Sequence, residues 1–152
     1  MKDQLIGPLH FILFFLGSLG INYCLYWLFY GQFNLTHREC VYAIILFLCS
    51  IPIHEIIHGI TCCCVSDNNW RTIKFGLDLR GFTFYCKYRN SIESLKDRIA
   101  ITLMPMIILA FIPCCLGLIF DSPSIVLFSS LSFGGASNDK CKAWQLLYMR
   151  NK

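Results

Sequence analysis

Residues 53–59 read Ile53-His54-Glu55-Ile56-Ile57-His58-Gly59, an H-E-x-x-H pattern set in an apolar run from Cys40 to Val65. On a helix, His54 and His58 lie four residues apart and project from one face. That is the spacing two imidazoles need to hold one zinc ion, and Glu55 sits beside them, placed to act on the attacking water rather than on the metal. The run around the motif is long enough to cross a bilayer as a helix. Three ionisable groups in such a setting are expensive, so they read first as a functional site. The alternative is a polar cluster whose hydrogen bonds only tie helices together.

Composition agrees with a membrane setting. Of 152 residues, 56% are hydrophobic and 14% are charged, against roughly 25% charged in an average soluble domain. The expectation is an all-α integral membrane protein, one multi-pass domain over residues 1–152, with about four transmembrane helices near 8–30, 40–65, 99–120 and 123–139. The ten cysteines include no C-x-x-C pair, which argues against a zinc ribbon or a thioredoxin-like site. Most lie in apolar runs, where cysteine packs as a small hydrophobe. The triplet Cys62-Cys63-Cys64 is read the same way, ahead of acylation or metal binding.

From Pro8 to Tyr30 there is no Asp, Glu, Lys or Arg, and no clear small-residue cleavage site follows, so an uncleaved first span is expected. Pro52 lies just before His54 and is expected to loosen or kink the second span. The polar connection 66–98 holds two alternating stretches, Thr72 to Leu79 and Phe82 to Tyr88, which predict a β-hairpin turning at Arg80-Gly81. Ser91, or Ser94 as its rival, would cap the helix that leads into the third span. That span carries Pro105 and Pro113. Asp121-Ser122-Pro123 makes a short turn, and the last span ends in Gly134-Gly135-Ala136-Ser137-Asn138-Asp139, small residues that let backbones approach closely. Lys140 to Lys152 reads as a basic interfacial helix.

The charge pattern sets an orientation. With four spans, the N-terminus, the hairpin connection and the tail share one side and hold twelve of the thirteen basic residues, leaving Arg38 opposite. The positive-inside rule then places both termini and the hairpin in the cytoplasm, with the chain in the cell membrane. The same distribution puts the basic groups at a lipid boundary, so no nucleic-acid partner is expected.

A catalytic zinc takes three protein ligands and keeps one position open. The motif lies roughly 10–15 Å below the cytoplasmic surface at about 1.5 Å per residue. Asp139 is at a compatible level, and His10 enters from the same side. Asp121 and His37 belong to the opposite side. On these grounds Asp139 stands equally well as a ligand or as an ordinary helix-end carboxylate.

Taken together, His54-Glu55-Ile56-Ile57-His58-Gly59, the hairpin after it, Arg98-Ile99-Ala100 before a span with Pro105, and Gly134 to Asp139 carry a resemblance over roughly residues 40–145. The chain resembles site-2 protease-type intramembrane metalloproteases. It is closer still to short bacterial membrane proteins described as putative zincin peptidases. The resemblance implies that an aspartate of the last core span, here Asp139, joins His54 and His58 on Zn2+. In site-2 proteases that aspartate precedes glycine, whereas Lys140 follows it here. The implied activity is zinc-dependent endoproteolysis of membrane proteins or membrane-anchored peptides near the cytoplasmic face. Glu55 would be the proton acceptor, and Asn138, by adjacency, would help at the carbonyl oxygen. A non-proteolytic zinc-binding membrane protein and a structural subunit are the alternatives. Oligomeric state is left open.

Overall fold

The computed structural model describes residues 2–66, 70–78, 83–88 and 94–150. The elements are α1 (Lys2–Tyr30), α2 (His37–Val65), a 3-10 turn at Trp70–Thr72, β1 (Ile73–Asp78), β2 (Thr83–Tyr88), α3 (Leu95–Met106), a π turn (Ile107–Phe111), α4 (Ile112–Ile119), α5 (Pro123–Gly135) and α6 (Ser137–Arg150). Among the described residues, three helical stretches are long and apolar enough to cross a membrane: Leu9–Tyr30, His37–Val65 and Leu95–Ile119. They make the protein a membrane-associated one. α5 is apolar but has only 13 residues, about 20 Å of helix against a hydrocarbon core of about 30 Å.

Local chemistry explains where the elements begin and end. α1 stops at Gly31, which adopts φ 71 while its N–H reaches the Trp27 carbonyl, a left-handed helix end that glycine accepts without strain. α2 starts at His37, earlier than the sequence suggests, because Thr36 and Glu39 form a capping box. The Thr36 N–H and hydroxyl both donate to Glu39 Oε2, at 2.8 and 3.0 Å, and the Glu39 N–H returns to Thr36 Oγ1 at 3.4 Å. α2 then runs helically through Pro52 to Val65. Ser94 caps α3, its hydroxyl accepting the Asp97 N–H at 3.5 Å. Ser91 and the Arg80-Gly81 turn lie outside the described residues. The expected fourth segment is broken: α5 ends at Gly135, Ala136 turns, and α6 restarts at Ser137.

The chain divides into two compact units. The first holds α1, the start of α2, the π turn with α4, and α5. Its core is Ala43, Leu127 and Phe128, packed by Phe15, Leu19, Phe47 and Leu131. A polar ladder joins α1 to α5. Ser18 Oγ donates to the Ser130 carbonyl at 3.2 Å, and Asn22 Nδ2 donates to Ser130 Oγ at 2.8 Å. Cys114 Sγ donates to Asn22 Oδ1 at 3.2 Å. Between membrane helices such bonds contribute roughly 0.6 kcal/mol each. At the tight turn before α5, Asp121 takes φ 51 and its carboxylate accepts the Tyr26 hydroxyl.

The second unit holds the motif half of α2, the hairpin, α3 and the residues from Asp139 on. β1 and β2 pair antiparallel from Ile73 opposite Tyr88 to Asp78 opposite Thr83. Ile73 of β1 packs with Cys62 of α2 and Ile101 of α3, flanked by Cys63, Val65 and Cys86. Burial, with smaller contributions from Glu55, Cys62 and Cys63, pushes the Cys86 thiol up to about 11, which makes it a packing group rather than a nucleophile at neutral pH. Gly59, next to His58, lies under the Phe75 ring: a Cβ there would meet Phe75 Cζ at 2.5 Å.

Close approach also governs the first unit, where a Cβ on Gly134 would stand 2.9 Å from Phe15 Cβ and 3.2 Å from the Phe11 carbonyl. Gly134→Ala is therefore expected to destabilise by about 1–3 kcal/mol. Gly17, with nothing within 4 Å, should accept alanine with no loss, and thermal unfolding of both variants in detergent reads the difference.

Candidate metal centre

Four residues apart on the inner turns of α2, His54 and His58 place their ring centroids 4.9 Å apart, as the helical spacing requires. The first turn of α6 supplies the partner. His54 Nε2 lies 2.8 Å from Asp139 Oδ2, and His58 Nε2 lies 3.5 Å from the same oxygen. One ligand atom from each of the three residues falls within 4.8 Å of the other two. Asp139 is buried at 9% exposure, and its other oxygen accepts from the exposed Lys142 at 3.3 Å.

The second nitrogen of His58 is also committed. Nδ1–H donates to the Ile101 main-chain carbonyl of α3 at 2.7 Å. A neutral ring so held presents a lone pair at Nε2, and that lone pair faces a carboxylate oxygen, which is another acceptor. Two acceptors at 3.5 Å call for a cation between them, either a proton or a metal ion. The donor set suits zinc: two imidazoles and one carboxylate, with one tetrahedral position left over. The edges of a zinc tetrahedron with bonds near 2.0 Å are about 3.3 Å, close to the 3.5 Å approach of His58 to Oδ2, while His54 at 2.8 Å is within hydrogen-bond distance of it. A carbonyl holding the far nitrogen of a ligand histidine is the usual outer-shell arrangement of such sites.

Asp139 sits on α6, outside the three long apolar helices. Its Oδ2 faces Nε2 of both histidines, and its Oδ1 faces Lys142. Its neighbour Lys140 is pushed down to about 8, chiefly by burial.

Glu55 is not part of this cluster. It lines an adjoining groove of about 530 Å³ whose walls include Pro52 and Ile56 of α2, Trp70, and Phe75, Leu77, Phe84 and Tyr85 of the hairpin. Asn138 is exposed. His10 is half-buried in α1 beside Phe14, His37 is exposed at the start of α2, and Asp121 is held by Tyr26. Two contacts at the site were not foreseen, the Ile101 carbonyl and Lys142. The first involves no side chain of its own. The second follows from i,i+3 spacing on α6, which becomes readable once Asp139 is placed.

Residues 47–152 match the family described as "Putative zincin peptidase", and the chain belongs to it. Neither a curated protein nor a solved structure matches the chain. Membership implies zinc and a peptidase-type chemistry, in keeping with the donor set above. Purified wild-type protein should carry close to one zinc per chain. His54→Ala, His58→Ala and Asp139→Ala should each lower zinc affinity by two or more orders of magnitude, as elemental analysis and chelator competition would measure.

Proposed function

From that membership we propose that the protein is a zinc-dependent endopeptidase, similar to site-2 proteases, that cuts membrane proteins or membrane-anchored peptides close to the cytoplasmic face of the cell membrane. The observation that carries the proposal is the convergence of His54, His58 and Asp139 next to a groove that Glu55 lines. Four crossings are inferred, by α1, α2, the continuous stretch from α3 through α4, and the short α5. The bias of basic residues toward one side supports cytoplasmic termini.

In this reading His54, His58 and Asp139 hold the metal. When bound, zinc would polarise the scissile carbonyl and bring the pKa of water toward neutrality. Glu55 takes a proton from the attacking water as the new C–O bond forms. It then returns that proton to the amide nitrogen as the C–N bond breaks, releasing a carboxylic acid and an amine. Asn138 is kept as a candidate donor to the carbonyl oxygen on adjacency alone.

The groove fits an extended, apolar stretch of substrate. Trp70, Phe75, Leu77, Phe84 and Tyr85 are all exposed over roughly two-fifths to half of their surface, and Glu55 is the sole carboxylate among the described lining residues. A two-stranded sheet has unpaired edges, so a substrate in β conformation can add to it by main-chain hydrogen bonds. A helical segment would have to unwind first, because its carbonyls are bonded within the helix. The lipid bilayer is thus part of the substrate's setting, and a membrane-anchored polypeptide is the proposed partner.

Glu55→Gln should keep its zinc and lose at least about 10²-fold in cleavage rate on a membrane-anchored test peptide; undiminished cleavage would exclude Glu55 as the base. Leu77→Lys, which charges the groove wall without touching the metal residues, should raise KM several-fold with kcat and zinc content little changed.

A further inference from the structure

The carbonyl that holds His58 is free for a covalent reason. In an α-helix the carbonyl of residue i accepts the N–H of residue i+4. For Ile101 that residue is Pro105, which has no N–H to give. Both residues lie inside the second unit, Ile101 at 4% exposure and Pro105 fully buried. A buried carbonyl left without a partner costs free energy comparable to a lost hydrogen bond, so the site favours any donor that can reach it. His58 Nδ1–H reaches it at 2.7 Å.

We infer that Pro105 is a positioning residue for the metal centre: by withholding its N–H from the Ile101 carbonyl, it reserves that acceptor for His58 Nδ1–H and so turns His58 Nε2 toward Asp139. The inference rests on the metal reading of the cluster, and it is independent of whether the protein cuts peptides. A proline in this helix would otherwise be expected only to bend it. Pro113, in the same continuous helix, also lacks an N–H but follows the π turn and belongs to the other unit, so it serves as a control for the general effect of replacing a helix proline.

The test compares Pro105→Ala with Pro113→Ala in full-length protein, using zinc alone as the probe. In the zinc-loaded wild type, 15N NMR of the histidine rings should show His58 coordinating through Nε2 with an exchange-protected Nδ1 proton. Alanine at 105 restores a main-chain donor to the Ile101 carbonyl. It should raise the zinc dissociation constant about 10–100-fold, the usual effect of losing an outer-shell partner, and speed exchange of the His58 Nδ1 proton about tenfold or more. Alanine at 113 should change both by less than about twofold. Equal zinc affinity and a still-protected Nδ1 proton in Pro105→Ala would overturn the inference. Coordination through Nδ1 in the wild type would also overturn it, and that measurement needs no variant to fold. Neither readout involves a substrate, so a protein that binds zinc as described and cleaves nothing would sink the proposed peptidase function while leaving this inference standing.

Discussion

A buried carboxylate in a chain this poor in charge must have its oxygens occupied, and Asp139 meets that requirement by drawing three partners around it. His54 and His58 share Oδ2, and Lys142 sits on Oδ1. An isolated charge with 9% of its surface exposed would cost several kcal/mol. That penalty fixes the motif turn of α2 and the first turn of α6 as neighbours. His58 extends the constraint to α3 through the Ile101 carbonyl. Three helices therefore meet at one polar point, and the hairpin is fastened nearby by the contact of Ile73 with Cys62 and Ile101.

The two units are held by different physics. In the first, helices approach through Gly134 and Gly117 and exchange hydrogen bonds among Ser18, Asn22 and Ser130. This suits a solvent in which apolar side chains gain little by meeting each other. Leu13, Leu16 and Phe29 of α1 accordingly point outward. In the second, a small apolar core backs a cluster of ionisable groups, so removing one member of the cluster leaves its partners uncompensated.

Much of this was legible from residue spacing. Run length located the long helices, period-two alternation located the hairpin, and i,i+4 spacing put both histidines on one face. What stayed hidden depended on distant segments meeting. Periodicity states which face of a helix is special without saying which helix it will oppose, so residue spacing alone left Asp139 equally a ligand or an ordinary helix-end carboxylate. The early start of α2 was missed because Thr36 and Glu39 sit in a short polar loop beside charged neighbours that look like linker. The break at Ala136 was also missed, although two consecutive glycines, each costing about 1 kcal/mol in a helix interior, mark the place where one ends. The Ile101 carbonyl has no signature of its own residue type. Its trace in the sequence is the proline four positions later.

Gly59 has a role beyond letting two surfaces touch. With no side chain there, the Phe75 ring rests directly on the turn that carries His58, so the strand that borders the groove and the helix that bears the metal residues are in mechanical contact. Thermodynamic linkage is symmetrical. Anything bound along β1 that prefers one seating of Phe75 must favour the matching posture of the histidine turn, and occupancy of the histidine turn must favour that seating of the strand. Under the proposed function, the arrival of a peptide and the posture of the histidine turn would thereby report on each other through one missing methyl group.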